Sequence, residues 1–110
     1  MIDWTRVKEL RDEVGADDFQ EVVDLFLEEV EEVAARVKVT SDQTTLEGDL
    51  HFLKGSALSL GFSDFANLCQ DGETASAQGK AGDVDVPNIL ASYDASKVVF
   101  LSKLPGVLAS

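Results

Sequence analysis

The sequence predicts an all-α fold, an antiparallel four-helix bundle with a short additional helix at its N-terminus. Apolar residues recur at helical spacing in five separate segments, and short polar or glycine-containing stretches join these segments. The sequence shows no strand-type alternation, no internal repeat and no low-complexity segment. Because helices joined by short loops pack as antiparallel neighbours, we expect residues 1–110 to form a single domain of this architecture.

The first two helices have recognisable start and stop residues. Asp3 is expected to cap the first helix, which Gly15 stops. Asp17 and Gln20 form a capping-box-like start to the second helix. The second helix has the longest apolar series in the chain: Phe19, Val22, Val23, Phe26, Leu27, Val30, Val33, Ala34 and Val37.

Acidic side chains cover the opposite face of the second helix. They are Asp17, Asp18, Glu21, Asp24, Glu28, Glu29, Glu31 and Glu32. Such a face is either an interaction surface or cation site, or a solvated surface that keeps the protein soluble. Oxygen-ligand metal loops need glycine turns and converging loop carboxylates, which a regular helix lacks, so we favour the solvated surface.

The third helix carries one buried stripe and ends at a glycine. Residues 38–45 form a polar connection before it, and either Ser41 or Asp42 is the expected N-cap. Gly61 supplies its C-terminal stop. The apolar positions of this helix are Leu46, Leu50, Leu53, Ala57 and Leu60.

The last two helices are bounded by serine, aspartate and proline signals. Ser63 is expected to cap the fourth helix, with Asp64 favourably placed in its positive first turn. After a turn of glycines and aspartates, Asp85 and Pro87 open the fifth helix, and Pro105-Gly106 is expected to end it. The inner faces comprise Phe62, Phe65, Leu68, Cys69 and Ser76, then Val86, Ile89, Leu90, Tyr93, Phe100 and Leu104.

Composition and charge exclude several classes of partner. The net charge of −12 argues against nucleic acid and against an anionic membrane surface, because few cations are available to neutralise phosphates. One cysteine gives no disulfide framework, and one His and one Cys cannot supply a metal site. No apolar run approaches the ~20 residues of a membrane span, and the acidic N-terminus is unlike a signal peptide. We therefore expect a soluble, cytoplasmic, monomeric protein.

His51, the only histidine, is the strongest candidate for a functional residue. It lies far from the buried stripe of the third helix and should point into solvent. Gly48 and Gly55 flank it at the positions that adjoin it on the helix surface, although each mid-helix glycine costs about 1 kcal/mol relative to alanine. A lone surface histidine is usually incidental, but this cleared surface indicates that something large approaches the ring.

A hairpin about Gly61 brings Glu73 back beside His51, because both residues are nearly the same distance from Phe62 along their helices. A carboxylate that accepts a hydrogen bond from Nδ1–H would leave Nε2 as an exposed lone pair. Such a nitrogen is a nucleophile for an acyl phosphate, and the product is a phosphoramidate. The geometry thus predicts the pair without reference to any family.

The same stretch resembles the histidine-containing phosphotransfer (HPt) domain of two-component phosphorelays. The residues that carry the resemblance are His51, Lys54, Gly55, Ser56, Gly61, Cys69 and Glu73, supported by Ile2-Asp3-Trp4 and the helix led by Phe19. The resemblance implies that Nε2 of His51 is phosphorylated and that Glu73 is its orienting acidic residue. Gly72 stands where the family usually has a larger apolar residue, so we expect looser packing there.

The resemblance also implies the roles of neighbouring residues and of partners. Lys54 would neutralise phosphoryl oxygens, Gly48 and Gly55 would leave space for the partner, and Leu58 is a candidate for docking a receiver domain. Partners would be a response-regulator receiver domain and a sensor or hybrid histidine kinase. The chain itself would be a phosphocarrier without autokinase activity, and it would need no cofactor, because Mg²⁺ belongs to the receiver.

Two other classes of function stay open. One is a degenerate HPt-like module that binds a kinase or receiver and inhibits it without carrying phosphate. The other is an unrelated helical adaptor in which His51 is incidental. The intact His51, Lys54 and Gly55 set argues against the degenerate module. Acid-labile, alkali-stable labelling from a phosphorylated receiver would separate the phosphocarrier from both alternatives.

Overall fold

The computed structural model describes residues 1–39 and 44–109. Within these ranges the predicted all-α fold is confirmed. The five helices are α1 (Trp4–Val14), α2 (Phe19–Val39), α3 (Leu46–Leu60), α4 (Ser63–Ala77) and α5 (Val86–Leu108), with a 3₁₀ turn at Ala81–Asp83. The expected N-caps of α3, Ser41 and Asp42, lie outside the described residues, and Thr45 rather than either of them directly precedes the helix.

Four of the helices close into a bundle. α3 contacts α2 and α4, and α5 contacts α4 and α2, while the shorter α1 packs against α2 and α3. The bundle is elongated, with extents of 45 × 21 × 20 Å. α3 packs most extensively against α4, which follows it after a two-residue turn. The two helices that carry the candidate site are therefore the most closely packed pair in the fold.

Aromatic rings form the centre of the core at one end of the bundle. Phe62 lies 5.3 Å from Phe100 and 6.0 Å from Tyr93, measured between ring centroids. Tyr93 also contacts Phe65 at 5.2 Å, and Trp4 stacks on Phe100 at 5.9 Å. These contacts join α1, α4 and α5 around the turn that separates α3 from α4.

That turn depends on a glycine and is held by the N-terminal segment. Gly61 has a φ of 79°, which favours glycine, and an added Cβ would lie 2.6 Å from the carbonyl oxygen of Asp3. The Asp3 N–H donates to the Gly61 carbonyl at 2.7 Å, and the Ser63 N–H donates to the Met1 carbonyl at 3.0 Å. The start of the chain thus fixes the hairpin from which the site is built.

Two predicted helix ends were wrong. Ser63 is the first residue of α4 rather than its cap; the flanking residue is Phe62, which is fully buried, so tertiary packing sets the start of the helix. α5 does not end at Pro105-Gly106 but continues to Leu108. Proline has no N–H to donate, but its carbonyl still accepts, and the Ala109 N–H donates to the Pro105 carbonyl at 3.1 Å.

The looser packing expected at Gly72 was also wrong. A Cβ on Gly72 would lie 2.7 Å from Leu50 Cδ1, 3.2 Å from Val84 Cγ1 and 3.3 Å from Ile89 Cδ1. These three side chains already occupy the space that a larger residue would take. Gly72 is therefore a close-approach position in a tight part of the core.

The start of α2 also differs in detail from the expected capping box. The helix begins at Phe19, and the Gln20 side-chain amide donates to Asp24 Oδ1 at 2.9 Å, further along the helix. Gln20 therefore joins a side-chain pair one turn apart on the helix surface.

Polar contacts at two residues of α2 join this helix to its neighbours. The acidic face of α2 is exposed as expected, but Glu31 on this face also accepts hydrogen bonds from Tyr93 and Lys97 of α5. Asp49, a buried residue of α3, accepts from Arg36 at 2.6 Å. The hydrogen bond that Arg36 donates to Asp49 raises the pKa of Arg36 above its usual value. These pairs hold α2 against both α3 and α5.

Candidate functional site

His51 lies on the outer face of α3, as its position in the helical pattern predicts. Its side chain is 70% exposed, whereas the predicted stripe of α3 is buried. The imidazole makes its described polar contact with one residue of the neighbouring helix. An exposed ring with a fixed partner on one side is suited to reaction on the other side.

Glu73 of α4 is that partner, which confirms the proximity expected from the hairpin. Nδ1 of His51 lies 2.9 Å from Oε1 and 3.2 Å from Oε2 of Glu73. An ionised carboxylate can only accept, so Nδ1 carries the hydrogen and Nε2 carries the lone pair. The Glu73 side chain is only 13% exposed, which limits its movement. The pair therefore sets both the tautomer and the direction of the imidazole.

The charge state of Glu73 is set by its two donors. The hydrogen bond from His51, and after it those from Lys54, hold the pKa of Glu73 below its usual value, against the opposing effect of burial. Glu73 is thus ionised at neutral pH and remains available as an acceptor for Nδ1–H.

Lys54 completes the cluster from the next turn of α3. Its Nζ donates to Oε1 and Oε2 of Glu73 at 3.1 and 3.2 Å, and to Oε1 of Gln70 at 2.9 Å. The side chain is 21% exposed, far less than that of His51. The ammonium therefore lies within the same cluster as the imidazole, held by groups of α4.

The two glycines beside His51 are not required by packing. A Cβ added to Gly48 or Gly55 would meet nothing within 4 Å. Both lie inside α3, where each glycine costs about 1 kcal/mol relative to alanine. No packing contact in the described part of the chain compensates for this loss of helix stability. Access for a partner would explain both glycines, and that role stays a prediction.

A cleft opens on the Gly48 side of His51. It has a volume of about 580 Å³ between α3 and α4. Its walls include Glu47, Gly48, Gln70, Glu73, Thr74 and Gln78. The histidine is therefore bordered by this cleft on one side and by the Gly55 surface on the other.

Apolar side chains near the site are partly exposed. Leu58, the predicted docking residue, is 57% exposed. Phe52, which follows His51 directly, is 40% exposed and was not predicted to contribute. The signal that could have indicated it is an aromatic residue lying outside the buried stripe of α3.

Gln70 and Thr74 were also missed by sequence reasoning. Gln70 accepts from Lys54, and its own amide donates to Thr74 Oγ1 at 3.0 Å. One signal was available, because Gln70 and Lys54 are equally far from Phe62 along the hairpin, as His51 and Glu73 are. The same counting that pairs His51 with Glu73 pairs Lys54 with Gln70.

Cys69 lies in the core beneath the site, as expected for a small buried residue. It is fully buried, and burial raises the pKa of its thiol to about 12. Among the described residues, no group of three or more His, Cys, Asp or Glu side chains could hold a metal ion. In the same part of the chain, no helix is long and apolar enough to span a membrane.

Comparison with known proteins identifies the family. A family model described as the Hpt domain matches residues 21–97, which is more than half of the chain and includes the whole site. The chain belongs to the Hpt domain family. Neither the curated proteins nor the solved structures gave a match. Membership gives this Hpt domain a phosphotransfer role in two-component signalling, as a phosphocarrier that interacts with histidine kinases and receiver domains.

Proposed function

We propose that this Hpt domain accepts a phosphoryl group on Nε2 of His51 from a histidine kinase or a phosphorylated receiver, and passes it to the aspartate of a response-regulator receiver. The observation that carries the proposal is the exposed imidazole whose Nδ1 is hydrogen-bonded to the ionised Glu73. That arrangement supplies a nucleophilic nitrogen directed toward solvent.

The chemistry follows from this tautomer. The Nε2 lone pair attacks the phosphorus of an aspartyl phosphate, and the N–P bond forms as the P–O bond to the partner's carboxylate breaks. The electron pair leaves with the carboxylate oxygen. The Nδ1 proton stays in its hydrogen bond to Glu73, so the negative carboxylate stabilises the positive charge that the ring gains. The reverse steps deliver the phosphoryl group to the next aspartate.

Lys54 supports the proposal through its charge. Its Nζ is held within the same cluster as the ring, and an ammonium beside a transferring phosphoryl group offsets the negative charge of the phosphoryl oxygens. We propose no metal site on this chain, because the receiver would supply the Mg²⁺ that such transfers use. Lys54 of this chain and the Mg²⁺ of the partner would thus both offset the negative charge of the phosphoryl oxygens.

The partner would approach over the cleared surface of α3. Gly48 and Gly55 leave the ring accessible, and Leu58 offers an exposed apolar contact beside it. We propose that Leu58 belongs to the docking surface for the receiver domain, and that Phe52 extends it.

The test is phosphorylation of the wild-type protein and of His51→Gln. Phosphoramidate serves as a donor that needs no docking surface, and a panel of phosphorylated receivers serves as the set of candidate partners. Wild-type protein should gain an acid-labile, alkali-stable phosphate, and His51→Gln should gain none while keeping its circular dichroism spectrum and melting temperature. Label retained by His51→Gln would overturn the assignment of the acceptor.

The same experiment separates the proposal from a binding module that carries no phosphate. Such a module would bind a receiver or kinase yet remain unlabelled with every donor. Binding without labelling in the wild-type protein would therefore favour that alternative.

A further inference from the structure

Behind the reacting pair, a short chain of hydrogen bonds leads from Lys54 to Thr74. Nζ of Lys54 donates to Oε1 of Gln70 at 2.9 Å, and Nε2 of Gln70 donates to Oγ1 of Thr74 at 3.0 Å. Lysine has no acceptor, so the atom of Gln70 that faces it must be the amide oxygen. The amide orientation is thus consistent at both ends, with its oxygen toward α3 and its nitrogen toward Thr74.

We propose that Gln70 is a positioning residue for Lys54 and that Thr74 orients Gln70. This inference rests on the proposed function, and it adds a residue pair to which the site prediction gave no role. Gln70 would act through the lysine ammonium and would not touch the phosphoryl group.

The chemical reason lies in the charges of the two acceptors of Lys54. Glu73 is a carboxylate, which is already engaged by His51 and which cancels the charge of the ammonium. Gln70 is neutral, so it fixes the ammonium without cancelling its charge. When a phosphoryl group adds to Nε2 of His51, Lys54 can exchange contacts with Glu73 for phosphoryl oxygens and keep its contact with Gln70.

Holding Lys54 in this way also reduces the entropic cost of contacting the phosphoryl group. A lysine side chain loses much of its rotational freedom when it is ordered. In this protein, contacts from α4 order the Lys54 side chain of α3 before the phosphoryl group arrives. The lysine is therefore already restricted to the region beside the imidazole.

A double-mutant cycle with Lys54 tests the inference. The four proteins are wild type, Gln70→Leu, Lys54→Ala and the double variant, and the readout is the initial rate of His51 phosphorylation by phosphoramidate. Gln70→Leu keeps a branched side chain, one methylene group shorter, but has no acceptor, and it should slow labelling by about fivefold. The same substitution in the Lys54→Ala background should have no further effect.

Two further measurements separate positioning from a general structural effect. Gln70→Glu keeps an acceptor oxygen but adds a charge, so it should retain the contact with Lys54 and still slow labelling, because the new carboxylate competes with the phosphoryl oxygens. In the unphosphorylated protein, the two ε-methylene protons of Lys54 should give distinct NMR shifts that converge in Gln70→Leu. Circular dichroism should be unchanged throughout.

The outcomes separate failure of the inference from failure of the proposed function. Equal slowing by Gln70→Leu with and without Lys54 would show that Gln70 acts on its own and would overturn the inference alone. A Gln70→Leu variant that is labelled as fast as wild type would also overturn the inference alone. A wild-type protein that takes no label from phosphoramidate or any receiver would overturn the proposed function, and the inference with it.

Discussion

His51 and Glu73 are 2.9 Å apart between Nδ1 and Oε1, although 22 positions separate them in the sequence. They belong to different helices, α3 and α4, which are joined by a turn at Gly61. The contact gives the imidazole one hydrogen-bonded nitrogen and one free nitrogen. The proposed chemistry depends on this difference between the two ring nitrogens. The first two predictions test the contact that produces it.

Replacing Glu73 with alanine should loosen the tautomer of His51 and slow phosphorylation without abolishing it. A hydrogen bond to a charged group in this partly exposed setting contributes about 1–2 kcal/mol, which corresponds to about tenfold in rate. Nitrogen-15 chemical shifts of the single histidine report the tautomer directly, with no other imidazole to overlap. If the shifts and the rate both match wild type, Glu73 does not orient the ring in solution.

Acid should remove the contribution of Glu73 to stability. Because the pKa of Glu73 is lowered in the folded protein, its contribution is present above the unfolded-state pKa and is lost as pH falls through the lower folded-state pKa. The difference in unfolding free energy between wild type and Glu73→Gln should therefore be largest near neutral pH and shrink in acid. Urea unfolding across this range measures it. A difference that grows in acid would contradict the predicted sign.

Replacing Gly55 with leucine should leave the fold intact and block the partner. The added side chain meets no atom of the described chain near its Cβ, and helix propensity improves by up to about 1 kcal/mol. Transfer from a receiver should fall by at least about tenfold, and by more than labelling from the small donor phosphoramidate. Gly106→Leu is a matched control, because Gly106 also lies in a helix with open space around its Cβ. Equal transfer by the two variants would show that the surface at Gly55 is not reserved for a partner.

Replacing Gly72 with alanine should destabilise the protein. The new methyl group would lie 2.7 Å from Leu50 Cδ1 and close to Val84 and Ile89, and overpacking of this kind typically costs about 1–3 kcal/mol. The gain in helix propensity of about 1 kcal/mol offsets only part of this cost. Thermal unfolding of Gly72→Ala and of Gly55→Ala measures the difference in stability between two variants that gain the same helix propensity. A Gly72→Ala protein as stable as Gly55→Ala would show that Leu50 moves aside without cost.

Cys69 should be almost unreactive in the folded protein. Burial raises the pKa of its thiol to about 12, so at mildly alkaline pH its thiolate population is about a thousandfold below that of an exposed cysteine. Modification by a disulfide reagent should proceed slowly in buffer and rapidly in denaturant. Fast modification of the native protein would mean that α4 opens far more often than its packing indicates.

The helix ends show which parts of the fold were predictable from sequence. Asp3 and Asp85 cap α1 and α5 as expected, and their carboxylates accept from the backbone N–H groups of Arg6 and Asn88 at 3.1 Å. Those signals are local, because a capping side chain and the amide it accepts from are three residues apart. Ser63 carries the same local signal but does not cap α4, because the burial of Phe62 and the hydrogen bond to Met1 decide where that helix begins.

The site shows the same division between local and tertiary information. Glu73 could be placed beside His51 from the hairpin alone, since both the turn and the helical rise are readable in the sequence. The contact between Gln70 and Lys54 obeys the same geometry, but an exposed glutamine has no chemical signal that draws attention to it. The tight fit at Gly72 was unpredictable for another reason, because it depends on Val84, which lies outside any helix.

The two-residue connection at Gly61 and Phe62 also fixes the rotational register of α4 against α3. One extra residue after Phe62 would turn α4 by about 100° and displace it by about 1.5 Å along its axis. Phe65 and Cys69 would leave the core, and Glu73 would leave the imidazole in the same movement. The burial of apolar groups therefore enforces the alignment of the reacting ring, so any folded variant that keeps these residues in the core keeps the carboxylate in reach of His51.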